Sequence, residues 1–146
     1  MKEFKSFYKT VSGNEGGKCH YPTRLDTYGC GCQHDCKYCY AKSLLDFRNL
    51  WNPNDPSVAD INKIAKVVSK LNKGDVVRLG GMTDCFQPLE KVHRVTYETI
   101  KQLNSRDIEY LIVTKSELVA DDMYVDVMRK DLAHIQITVT TTDDKL

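Results

Sequence analysis

The chain is 146 residues long, carries 21 Lys and Arg against 20 Asp and Glu, and has a formal net charge of +1 at pH 7. That is roughly one domain's length, enough for a single buried core, and the balanced charge gives no electrostatic case for nucleic acid or membrane as an obligatory partner. Apolar runs stop after a few residues, Leu111-Ile112-Val113 being typical, so no segment can span a bilayer.

The start, Met1 to Thr10, is polar and lysine-bearing without the apolar stretch of a secretion signal, so the expectation is a cytoplasmic protein. Residues 1–20 hold Gly13, Asn14, Gly16 and Gly17 with few apolar anchors, and are expected to form a loosely ordered lead-in to a domain over 21–146. A short first strand falls in Tyr21 to Tyr28, around Arg24-Leu25-Asp26-Thr27. The cysteine-rich segment follows as a loop, and Ala41 to Leu50 begins a helix before Trp51 to Pro56 breaks the chain.

From Ser57 to Leu71 the apolar residues Val58, Ile61, Ile64, Ala65, Val68 and Leu71 recur at helical spacing, with Asp55 or Ser57 as N-cap and Gly74 as the stop. Val76 to Leu79 is a short strand ending at Gly80-Gly81. Leu89 to Asn104 is helical through Val92, Val95, Thr99, Ile100 and Leu103. Ile108 to Val113 is a β-branched strand, Leu118 to Lys130 a third helix with Tyr124, Val127 and Met128 inward, and Ala133 to Thr141 a fourth strand.

Strands alternating with helices predict an α/β fold of right-handed βα units on a parallel sheet, with ligands at the carboxyl ends of the strands. The cysteine loop, the Gly80-Gly81-Met82-Thr83-Asp84 turn and Thr114-Lys115-Ser116 all fall at such ends. In the last strand Gln136, Thr138 and Thr140 alternate with Ile135, Ile137 and Val139, whereas a parallel strand covered on both faces should be apolar throughout. A solvated ligand cavity and a wet sheet edge both account for that polar row.

Four of the six cysteines, Cys30, Cys32, Cys36 and Cys39, fall within ten residues, and Cys19 and Cys85 lie outside. In a reducing cytosol such a cluster points to metal ligation or catalysis before disulfides. Cys32, Cys36 and Cys39 wrap a short loop. Three thiolates on a four-iron cube leave one iron without a protein ligand, the open coordination of a reactive site. Spacing favours iron–sulfur, and leaves open a closed zinc site with Cys30 as fourth thiolate and His20 or His34 in reserve, or thiols that bind no metal.

The CxxxCxxC segment, with an aromatic before its third cysteine, resembles the signature of the radical S-adenosylmethionine (SAM) superfamily. Gly31 to Ala41, with Thr83-Asp84-Cys85-Phe86-Gln87-Pro88 and Val113-Thr114-Lys115, is most similar to its spore photoproduct lyase-like branch. The resemblance implies a [4Fe-4S] cluster on Cys32, Cys36 and Cys39 and a radical SAM enzyme. Its cluster would reduce SAM, releasing a 5′-deoxyadenosyl radical that abstracts hydrogen from a substrate the sequence does not identify. It further implies that Tyr38 approaches the adenine, that Gly80 and Gly81 receive the methionyl ammonium, that Thr83 and Lys115 reach the methionyl carboxylate, and that Thr138 and Thr140 meet the ribose.

A one-electron donor of flavodoxin or ferredoxin type is the implied partner. The family's partial barrel has six βα units, on the order of 200 residues, of which about four are readable here. The expectation is therefore a truncated frame, or half of an enzyme completed by a second polypeptide. The lyase-like branch brings DNA to mind as a substrate, but no basic stripe supports it. The competing expectations are a zinc-stabilised, non-catalytic binding module and an inactive remnant. Cys85 is expected near the cavity mouth, and the hydrogen-donor role of a nearby family cysteine is not carried over to it. His34 is expected at the surface or bonded to its loop, and His93 and His134 at the surface.

Overall fold

A computed structural model describes residues 8–10 and 23–140. In chain order the elements are β1 (Tyr8–Thr10), β2 (Thr23–Leu25), β3 (Tyr28–Gly29), α1 (Tyr40–Asp46), β4 (Ser57–Val58), α2 (Ile61–Val68), β5 (Val76–Leu79), α3 (Glu90–His93), α4 (Val95–Ser105), β6 (Glu109–Thr114), a 3-10 turn (Glu117–Ala120), α5 (Asp122–Val127) and β7 (Ala133–Ile137). β2, β5, β6 and β7 form the expected parallel sheet, and β1 adds an antiparallel strand beside β2.

Side-chain alternation divides this sheet into two faces. Leu25, Leu79 and Ile112 are register partners and fully buried. They pack in one core with Ile64 and Val68 of α2, Ile100 and Leu103 of α4, and Tyr124 of α5. The opposite face carries Arg24, Arg78 and Val113, and it opens at the carboxyl ends of the strands.

Several elements differ from expectation for identifiable reasons. Residues 8–10 of the predicted lead-in pair with β2 as a strand, because an open strand edge offers backbone partners. The rest of the lead-in, with Cys19 and His20, lies outside the described residues. Ser57 and Val58 pair with Gly29 and Tyr28, so α2 starts only at Ile61, and its N-cap is Asp60, whose carboxylate accepts the Asn62 N–H at 2.8 Å. Neither Asp55 nor Ser57 caps the helix.

The predicted helix over 89–104 is split by Arg94, which adopts left-handed φ 52° between α3 and α4. The predicted 118–130 helix is a 3-10 turn followed by α5, interrupted at the extended Asp121. β7 ends at Ile137, although the Thr138 N–H still donates to the Thr114 carbonyl at 2.8 Å. Ile135 and Ile137 are 44% and 54% exposed, so β7 lies at the sheet edge among the described residues. Cys85 is not at the cavity mouth. It is fully buried in the apolar core, which pushes its thiol pKa well up.

Candidate functional site

The loop between β3 and α1 is shaped by two successive turns, in which the Asp35 N–H donates to the Cys32 carbonyl and the Cys39 N–H to the Cys36 carbonyl, each at 3.1 Å. Its base is pinned by the Asn52 N–H on the Cys30 carbonyl at 2.7 Å. A Cβ on Gly31 would stand 2.1 Å from the Asn52 carbonyl oxygen, so the loop meets segment 52–53 with no room for a side chain. This folding turns Cys32, Cys36 and Cys39 into one cavity at the carboxyl ends of the strands.

The facing wall is the turn after β5. Gly80 has φ 79°, and a Cβ there would lie 2.6 Å from the Thr83 carbonyl oxygen, so this turn requires glycine. Gly81 donates its N–H to Asp26 Oδ1 at 2.5 Å, and its carbonyl accepts from the Tyr40 hydroxyl at 2.9 Å. The Thr83 hydroxyl donates to the Tyr28 carbonyl at 2.8 Å. Lys115 and Thr138 close the cavity from the ends of β6 and β7.

Asp84 ties these parts together. It accepts from the Thr114 hydroxyl at 2.7 Å, from the Lys115 N–H at 3.1 Å and from the Phe86 N–H at 2.9 Å, and lies 3.3 Å from His34 Nε2. Burial works against its charge, but His34, the Thr114 hydroxyl and the two backbone donors outweigh it and hold the carboxyl below its usual range. Cys32 is raised by burial, partly offset by N–H groups of Asp84 and His34. Lys115 Nζ lies 2.9 Å from Cys36 Sγ and 3.0 Å from the Tyr38 hydroxyl. Burial disfavours the ammonium, yet these two contacts raise its pKa above the ordinary lysine range.

Thiols are the ligand type that an iron–sulfur cube takes. Three thiols of one loop share the cavity, and neither Cys30 nor Cys85 lines it. Among the described residues no three His, Cys, Asp or Glu side chains, these cysteines included, stand close enough to hold a single metal ion. Beside the loop, Gln87 Oε1 accepts the Gln33 N–H at 2.9 Å, leaving Nε2 buried without an acceptor.

Of the residues singled out in the sequence, Cys32, Cys36, Cys39, Gly80, Gly81, Thr83, Lys115 and Thr138 meet at this cavity. Tyr38 and Thr140 do not line it. Tyr38 is 64% exposed and stacks under Lys115, whose Nζ is 4.9 Å from the ring centroid. The aromatic on the wall is Tyr40. Sequence reasoning missed Tyr40, Arg78 and the organising role of Asp84. The one available signal was an acid three residues beyond a glycine pair at a strand end. His34 turns inward to Asp84 and the cavity, while His134 is exposed and 2.9 Å from Glu109.

A family model described as "Radical SAM superfamily" matches residues 27–146. An uncharacterized protein of Methanocaldococcus jannaschii is 32% identical over 110 residues, which is 75% of this chain and 40% of that relative. The chain thus spans less than half the length of this curated relative. No solved structure matches it.

Proposed function

The chain belongs to the radical SAM superfamily, whose members in general use a [4Fe-4S] cluster, SAM and an external electron donor, and on that premise we propose that the cavity at the carboxyl ends of β2, β5, β6 and β7 holds the cluster on Cys32, Cys36 and Cys39. The observation carrying this reading is the convergence of three thiols from one loop on a cavity whose opposite wall is the Gly80-Gly81 turn, where position 80 has no room for a side chain. Held by Cys32, Cys36 and Cys39, the cluster would supply the one electron that cleaves the bond between the SAM sulfur and C5′, giving methionine and a 5′-deoxyadenosyl radical able to take a hydrogen atom from substrate.

The protein's part is placement and protection. N–H groups of Asp84 and His34 stabilise sulfur charge on Cys32, and Lys115 does so on Cys36. Gly80 and Gly81 let a ligand's amino group approach backbone, Lys115 presents an ammonium suited to a carboxylate beside Thr83, whose hydroxyl proton is held by the Tyr28 carbonyl, and Thr138 is placed to meet a ribose, with Tyr38 and Thr140 at the rim. The Thr83 to Pro88 and Val113 to Lys115 segments favour the spore photoproduct lyase-like branch, acting in the cytoplasm with a flavodoxin- or ferredoxin-type donor.

Anaerobic reconstitution with iron and sulfide tests the assignment. Wild type is expected to retain about four irons per chain, Cys36→Ala to lose them, and Cys30→Ala to keep them. Dithionite and SAM should then yield 5′-deoxyadenosine. Iron retention by the Cys36 variant, or its loss with the Cys30 variant, would overturn the ligand set.

A further inference from the structure

Arg24 and Arg78 are register partners on the adjacent parallel strands β2 and β5, which places their backbones about 4.8 Å apart with both side chains on the same sheet face. That face is the cavity side. Arg78 lines the cavity that the three cysteines share. Arg24 runs beneath Gly81, where an added Cβ would come within 3.1 Å of its Cδ. Glycine at 81 thus leaves passage for the arginine stem as well as for a ligand.

Among the described residues no hydrogen-bond acceptor is found for the Nε of either arginine. Both Nε atoms are fully shielded from solvent, and neither arginine forms an ion pair among the described residues. The carboxylate that feels both charges is Asp26, two residues beyond Arg24. Its oxygens are engaged by the N–H groups of Gly81 and Met82. Farther along the same row, Leu111 separates the pair from His134, which is committed to Glu109. Like charges directly opposite each other on neighbouring strands are unfavourable, and a guanidinium has five donors and no acceptor to satisfy itself. Arg78 on the cavity wall, with Arg24 beside it beneath Gly81, offers guanidinium donors of the kind that bind the oxygens of a phosphate or carboxylate.

We propose that Arg24 and Arg78 form an oxyanion subsite in this cavity, and that the substrate from which hydrogen is taken carries a phosphate or carboxylate group seated there. The substrate part of this inference rests on the radical SAM reading above; the anion subsite itself does not.

Calorimetric titration of the reconstituted full chain with inorganic phosphate, and separately with malonate, tests it, with SAM at saturation so that neither probe competes for iron. Wild type is expected to bind at least one probe, the tighter one identifying the anion class. Arg24→Gln and Arg78→Gln should each weaken binding by at least about tenfold, with thermal midpoint and iron content held. Arg24→Lys and Arg78→Lys, which keep the charge and lose the fork, should fall between, and they carry the test should a glutamine variant fail to fold. Binding equal in wild type and folded variants, or binding abolished by SAM, would overturn the proposal, the latter by assigning the arginines to the methionyl carboxylate. A chain that takes up no cluster yet binds phosphate through these arginines would overturn the radical reading alone.

Discussion

Two buried carboxylates near the cavity behave oppositely, and their neighbours explain why. Asp84 collects a histidine, a hydroxyl and two backbone donors, enough to outweigh burial. Asp26 has the N–H groups of Gly81 and Met82 and the attraction of Arg24 and Arg78, yet burial prevails and raises its pKa. The folded state therefore holds the Asp26 proton to higher pH than the unfolded chain does. Stability contributed by the neutral form is complete below the ordinary carboxylate range and is lost as pH rises through the raised folded value. Asp26→Asn keeps an acceptor for Gly81 and removes the ionisation. Its thermal midpoint should rise relative to wild type as the pH goes from about 4 to 7, as scanning calorimetry at both values would show. A gap independent of pH would contradict this account.

Among the elements, the break between α3 and α4 depends on Glu90. This fully buried carboxylate accepts the Thr96 and Tyr97 N–H groups, each at 2.9 Å, and so caps α4 from the preceding helix. It also accepts the Tyr124 hydroxyl at 2.7 Å and the Tyr28 hydroxyl. Burial first, and then the Glu90 charge, push both phenols up, so they remain donors at neutral pH. The Tyr28 carbonyl in turn receives Thr83 at the cavity, so the cap and the site share a residue. Glu90→Gln sets an amide donor against donors and should lower urea stability by about 1–3 kcal/mol. Tyr124→Phe, which removes one donor of four, should cost less.

For the whole molecule, the sheet is covered unevenly. The core face is sealed by α2, α4 and α5, whereas at the β7 edge Ile135 and Ile137 lie exposed beside a shallow apolar groove with Val119, Val125 and Met128. An exposed apolar edge strand is a template for self-association. Ile137→Lys should raise the concentration at which light scattering appears and leave the thermal midpoint unchanged. The same edge settles the polar row of the last strand. All three polar residues, Gln136, Thr138 and Thr140, stand exposed, and of them Thr138 also lines the cavity, so cavity and wet edge meet in this row.

What the sequence determined by itself was local and periodic. The strands around Val76 and Ile108 announce themselves by β-branched and apolar residues, and the Cys32, Cys36 and Cys39 spacing forces a tight loop whatever surrounds it. Its position at a strand end, opposite Gly80-Gly81, follows from the βα rhythm. Tertiary structure decided what depends on residues distant in the chain. Asp60 caps α2 because Ser57 and Val58 are taken by Tyr28 and Gly29. The helix after Leu89 breaks at Arg94 where a buried acid caps the second segment. Cys85 lies in the core, and Asp84 meets His34 and Thr114 across three segments. Periodicity records which side of an element is apolar. It carries no record of which distant donor meets which acceptor, and that pairing set the cavity's charge and left Arg78 on its wall, and Arg24 beside it, each with an unpaired Nε among the described residues.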